Sequence, residues 1–175
     1  MLRKSLFLLA FLGLSGCAGV DCTRMYGCRD GINDVDDYFH AEHIDSKVTV
    51  DSSLSNKELA AVSRAVELWH DATGGKVNIE LTIGETLPGQ RFVVRRALPG
   101  ELEPNMLASY FNDNIRIGEG AQGELDGILV HEFGHYLGLG HEDVTSSIMY
   151  PCAYGGMPEA PTPDAIADLK AIYQW

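Results

Sequence analysis

The chain has 175 residues, 45% hydrophobic and 22% charged, a balance that predicts one globular domain and excludes a disordered or collagen-like chain. Lys and Arg number 13 against 25 Asp and Glu, a formal net charge of −12, so no nucleic-acid partner is expected. There are no internal repeats and no low-complexity runs.

Met1-Leu2-Arg3-Lys4 is a short positive segment and Ser5 to Leu14 an apolar one. Together they predict a signal peptide over residues 1–16, too short for a spanning helix. It ends Leu14-Ser15-Gly16-Cys17, which resembles the lipobox of bacterial lipoproteins. That resemblance implies lipidation of Cys17 and, with Ala18 rather than aspartate following, sorting to the outer membrane. The alternative is ordinary cleavage and secretion. Loss of residues 1–16 leaves 11 basic against 25 acidic residues, a net −14. No polybasic patch supports membrane contact, so attachment would come through the lipid alone.

Residues 17–45 read as an N-terminal arm. Its acidic cluster Asp34, Asp36 and Asp37 fits no calcium-loop spacing, so calcium is unsupported and a solvated face is expected. His40 and His43 are read as surface histidines rather than a second metal pair. If Cys17 is lipidated, Cys22, Cys28 and Cys152 remain, an odd number. The pairing expected is Cys22 or Cys28 with Cys152, tying the arm to the segment after Pro151; a free thiol near the metal is the alternative. Unlipidated, four cysteines allow three connectivities.

Lys47 to Asp51 alternates as a first strand. Ser55 with Glu58 three residues on is a capping box, opening a helix with Leu59, Val62, Val66 and Trp69 along its apolar stripe. Gly74-Gly75 closes it. Val77 to Ile83 and Arg91 to Arg96 follow as strands, with a turn at Leu87-Pro88-Gly89. Leu107 to Phe111 and Asn114 to Ile117 form a strand pair around the tight turn Asn112-Asp113. After the glycine-rich stretch 118–123 comes a helix from about Glu124 to Gly138, covered by Leu125, Ile128, Leu129 and Leu137. Thr162 as N-cap and Pro163 at N1 open a last helix with Ile166, Leu169 and Ile172 inward.

Residues 131–141 carry the chemistry: His-Glu-Phe-Gly-His-Tyr-Leu-Gly-Leu-Gly-His, followed by Ser147-Ile148-Met149-Tyr150-Pro151. On a helix, four residues turn about 400° and rise roughly 6 Å, so the imidazoles of His131 and His135 leave one face together. Both can reach one zinc ion at about 2.0–2.1 Å. Glu132 lies about 100° round, beside such a metal, which suits a general base and not a ligand. His141 reaches the same ion only if the chain leaves the helix and turns back, which Gly138 permits as a left-handed C′ residue. Three histidines leave a fourth position open, the mark of a catalytic rather than a structural zinc.

These residues resemble the metzincin metallopeptidases and, within that clan, the matrixins. The block Met149-Tyr150-Pro151 is matrixin-like and implies a methionine beneath the zinc ligands. In astacins and serralysins a tyrosine two residues after that methionine reaches the zinc; that position is Pro151 here, so Tyr150 is not carried over as a ligand. Glu142 is a departure, since matrixins usually have serine there and astacins glutamate. The resemblance covers residues 46–175 as a catalytic domain. It implies an α/β fold (α+β in some schemes) of zincin type: a twisted mixed five-stranded sheet, two main helices and a C-terminal helix.

It also implies Trp69 in the core and Leu107 to Phe111 as the edge strand on the cleft rim, with Leu107, Ala108 and Ser109 facing substrate. Pro151 to Tyr154 would wall the primary specificity pocket. Matrixins carry histidines for a second, structural zinc. None lies between His70 and His131, so one catalytic ion is expected. No Pro-Arg-Cys-Gly-type latency switch is present, and Cys28-Arg29-Asp30-Gly31 is only a faint echo of one. The function expected is therefore an exported, monomeric zinc endopeptidase acting on peptides or proteins, either broadly or on one dedicated partner. The rival is a non-catalytic lipoprotein that uses zinc for stability and binds a partner protein.

Overall fold

The computed structural model describes residues 41–103, 106–151 and 157–175. The leader, Cys17, all other cysteines, the acidic cluster, His40 and Tyr154 lie outside them. Among the described residues there are five strands: β1 Asp45–Asp51, β2 Asn78–Gly84, β3 Val93–Arg96, β4 Ala108–Phe111 and β5 Asn114–Ile117. The helices are α1 Asn56–Ala72, α2 Leu125–Tyr136 and α3 Pro163–Tyr173, and a short 3-10 turn, Glu119–Gly123, leads into α2.

The strands form one sheet in the order β2-β1-β3-β5-β4. β1 runs parallel to β2 and β3, β3 parallel to β5, and β4 alone is antiparallel, at the edge. This is the mixed five-stranded sheet with two main helices and a C-terminal helix expected from the sequence. The turn at Pro88-Gly89 is present, with Gly89 at φ 79° and Gln90 N donating to Leu87 O at 3.1 Å. It joins no hairpin, however, because β1 lies between β2 and β3; a parallel pair needs a crossover, and α1 supplies it.

Local signals are read out as the residues dictate. Ser55 and Glu58 make the full capping box. The chain leaves α1 through Thr73, then Gly74 and Gly75 at φ 64° and 80°. Asn112 and Asp113 both have positive φ, 48° and 60°, the two-residue turn whose twist suits a hairpin. Alternation puts Ala108 and Tyr110 on the face of Ile117 and Ile115, towards the helices, and Ser109 and Phe111 on the other. α1 and α2 pack on the inner face, where fully buried Trp69 donates its indole N–H to Val130 O at 2.9 Å.

Three expectations are corrected. His43 is not a surface histidine but completely buried, stacked on Tyr136 at 4.3 Å between ring centroids. α3 turns Ala165 and Leu169 fully inward, whereas Ile166 and Ile172 are half-buried, because the helix lies on the body rather than within it. α2 is one residue shorter at its start and two at its end than Glu124 to Gly138, since Leu137 is already its C-cap.

Candidate metal centre

Every residue of α2 from Gly127 to Tyr136 is buried, so polar side chains on it lie in a dry environment. The helix ends where the sequence supplies glycine. Gly138, at φ 98°, donates to His135 O at 2.9 Å and Leu139 donates to Gly134 O at 3.0 Å, the paired bonds of a Schellman motif. The remaining carbonyls of the last turn also find donors: Tyr136 O takes His43 Nδ1–H at 2.5 Å and Leu137 O takes the Tyr173 hydroxyl at 3.0 Å.

The turn brings His141 back to the helix. His131, His135 and His141 gather with one nitrogen each, all within 4.8 Å of one another. His131 Nδ1 donates to Ile148 O at 2.7 Å and His135 Nδ1 to Leu139 O at 2.8 Å. Each bond fixes the tautomer that leaves Nε2 with a free lone pair. His135 Nε2 and His141 Nε2 face each other at 3.1 Å. Two nitrogens bound tetrahedrally at about 2.0–2.1 Å lie about 3.3 Å apart, so converging lone pairs explain this contact better than a hydrogen bond. Burial, reinforced by neighbouring imidazoles, pushes His131 down to about 4 and His135 well below its ordinary value. Both are therefore neutral at pH 7. The donor set fits a zinc ion on each count.

Glu132 points elsewhere, as its position on the helix requires. It is buried, and its Oε2 has no hydrogen-bond partner among the described residues. Burial pushes the carboxyl up to about 8; a hydrogen bond from the Tyr110 backbone and the charge of Arg116 oppose that rise. The edge strand β4 thus contacts the acid directly. Leu107, Ala108, Ile128, Glu132 and Pro151 line a small pocket beside His131, which Tyr150 also borders. Ser109 is not brought there. Its hydroxyl faces away and takes a bond from Arg116 Nη2 at 3.3 Å.

Met149 is fully buried, with its sulfur against Gly134 of α2. Its carbonyl accepts from Glu142 N at 3.0 Å, so the turn also steadies the residue next to His141. Gly134 is a packing residue of the site that the motif spacing does not mark. A Cβ there would overlap the Met149 sulfur and come within 3.3 Å of Trp69, so any larger residue would force the buried Met149 side chain to move. The available signal was glycine in a helix interior, which costs about 1 kcal/mol against alanine and asks for a packing reason. His43 was missed as well, and nothing local marks it: its partners Tyr136 and Asp113 are distant in sequence.

The matrixin family profile matches residues 114–174, from β5 to the end of α3. Matrilysin of Rattus norvegicus is 46% identical over 48 residues, 26% of this chain and 18% of that protein. Metalloendoproteinase 2-MMP of Arabidopsis thaliana is 41% identical over 51 residues, 29% and 14% of the two chains. The hatching enzyme of Paracentrotus lividus is 28% identical over 131 residues, 64% and 22%. The chain thus spans less than a quarter of the length of these relatives. The stretch that carries the three histidines and the methionine turn is matrixin-like, set in a fold of the metzincin type.

Proposed function

We propose that this protein is a zinc-dependent endopeptidase in which His131, His135 and His141 hold one catalytic ion and Glu132 is the general base. A zinc ion there supplies Lewis acidity towards a carbonyl and brings the pKa of a water to about 7. Glu132 accepts the proton released by the attacking water and delivers it to the leaving amine. The edge of β4, unpaired among the described residues, binds an extended peptide by strand addition, and the pocket beside Ala108 and Ile128 receives one apolar side chain.

The observation that carries the reading is Glu132: a buried carboxyl with an oxygen unpartnered among the described residues, sharing a pocket with His131 of the three converging imidazoles. A purely structural zinc site has no need of such a group, so the non-catalytic reading is not favoured. Residues 46–175 are taken as the catalytic domain. Residues 1–16 are taken as an export signal and Cys17 as the lipid-bearing end of the arm 17–45, on the sequence alone. We read the protein as a monomer of the bacterial cell envelope. No helix among the described residues is long and apolar enough to cross a membrane.

The test is Glu132→Ala on the zinc-loaded chain, with a peptide library as substrate and a hydroxamate as control. The variant is expected to retain zinc and lose cleavage. Undiminished cleavage by this variant, with the metal-free protein inactive, would overturn the assigned role.

A further inference from the structure

The N-cap of α3 behaves unexpectedly. Thr162 has the extended backbone of a cap, φ −85° and ψ 157°, yet its side chain makes no capping bond to the backbone of its own helix. Its hydroxyl oxygen instead accepts the N–H of Ile148 at 3.2 Å. The same hydroxyl lies 3.4 Å from Ser147 Oγ, and Ser147, 1% exposed, accepts the N–H of Met149 at 3.1 Å. Thr162 also shares a side-chain hydrogen bond with Asp164, whose carboxylate can only accept. Whichever group the threonine proton serves, the hydroxyl oxygen keeps a lone pair for the Ile148 N–H.

The peptide plane between Ile148 and Met149 is thus gripped at both ends. Its N–H is held by Ser147, and its carbonyl oxygen takes the Nδ1–H of His131 at 2.7 Å. Thr162 holds the preceding plane. A carbonyl that orients a histidine ring is itself oriented by what holds its amide.

We propose that Ser147 and Thr162 are positioning residues for the metal centre: the two hydroxyls set the Ile148–Met149 peptide, and through its carbonyl the tautomer and direction of the His131 ring. The inference rests on the reading of the three histidines as zinc ligands. It gives the N-terminus of α3 a part in the site that lies outside the histidine motif. α3 gives up its own side-chain cap, and Pro163 at N1 softens the loss because it has no N–H to satisfy.

The experiment measures the zinc dissociation constant of the full chain by competition with a chromophoric chelator, alongside the melting temperature of the metal-free protein. Ser147→Ala and Thr162→Val are each expected to weaken zinc binding about 10- to 100-fold, as loss of an outer partner does. Thr162→Ser keeps the hydroxyl and is expected to bind like the wild type. The double variant Ser147→Ala/Thr162→Val is expected to lose little more than Ser147→Ala, because both act through one peptide. Wild-type zinc affinity in both single variants overturns the proposal, even if their metal-free melting temperatures fall. So does a Thr162→Ser variant as weak as Thr162→Val. If Thr162→Val does not fold, Thr162→Gly takes its place, since glycine keeps the conformation of an N-cap. A wild-type chain that binds no zinc overturns both this inference and the function on which it rests.

Discussion

The molecule has two regions that hold their side chains by different means, and they meet at Gly138. Up to Tyr136, positions follow from regular structure: one helix spaces His131, Glu132 and His135, and one strand edge brings Tyr110 to Glu132. Beyond Gly138, up to α3, there is no helix or strand among the described residues. There, single side-chain and backbone bonds do the placing: Ser147 and Thr162 on the methionine turn, Met149 O on Glu142 N, Leu139 O on His135. A helix loses little of its geometry when one side chain changes, because the backbone ladder maintains it. A turn held by a few bonds loses its geometry with any of them, so the second region is where remote substitutions should reach the site.

The comparison is broken or sharpened most strongly by removing the ion. Chelation of the zinc-loaded protein is expected to abolish cleavage and to speed amide hydrogen exchange across residues 139–151 far more than in β1 to β5. Uniform loss of protection throughout the sheet would mean that the two regions are not separately maintained. Next in size is Gly134→Ala, which forces a methyl group against Met149 and Trp69. It is expected to cost about 2–3 kcal/mol in denaturant unfolding, as overpacking of a core does. Pairing it with Met149→Ala should relieve much of that cost, and failure to do so would argue against the close approach.

Gly138→Ala tests the junction itself. With φ at 98°, an L-residue there is expected to cost about 1–2 kcal/mol. The zinc dissociation constant should rise with it, because the Schellman turn sets both His141 and the Leu139 carbonyl. The smallest effect concerns the first region alone. A hydrogen bond from Arg95, aided by Leu98 N and Arg116 and opposed by burial, holds Glu101 down at about 2. A carboxylate with a depressed folded-state pKa stabilises fully above its unfolded value near 4.5, and that stabilisation is lost as pH falls towards 2. Glu101→Gln should flatten this part of the stability curve, read as melting temperature against pH, without changing zinc affinity at neutral pH.

Much of the first region was legible in the sequence because its signals are local. The capping box at Ser55, the positive-φ pair Asn112-Asp113 and the alternation in β1 and β4 need no distant partner to be recognised. The same holds for His131, Glu132 and His135, whose relation follows from helix geometry, and for Gly138, whose backbone conformation excludes most side chains. The errors lay where partners are remote. His43 gives no local sign of its burial, because its partners Tyr136 and Asp113 are far away in sequence. Thr162 is the N-cap that the sequence predicts, but its hydroxyl accepts from Ile148, 14 residues earlier, which no local signal shows. Ser109 does not face the cleft as the resemblance implies, because the pleat turns it outward to its cross-strand neighbour Arg116.

By itself, then, the sequence determined the fold class and the identity of the three converging histidines and their neighbouring acid. Periodicity, capping chemistry and ligand spacing are properties of short segments, and they survive without knowledge of the rest. Only the tertiary structure decided how that site is held: Gly134 beneath Met149, Ser147 and Thr162 on the peptide that orients His131, His43 on the last turn of α2. Those contacts join residues far apart in the chain, so they exist only once the sheet, the two main helices and the returning turn have been packed together.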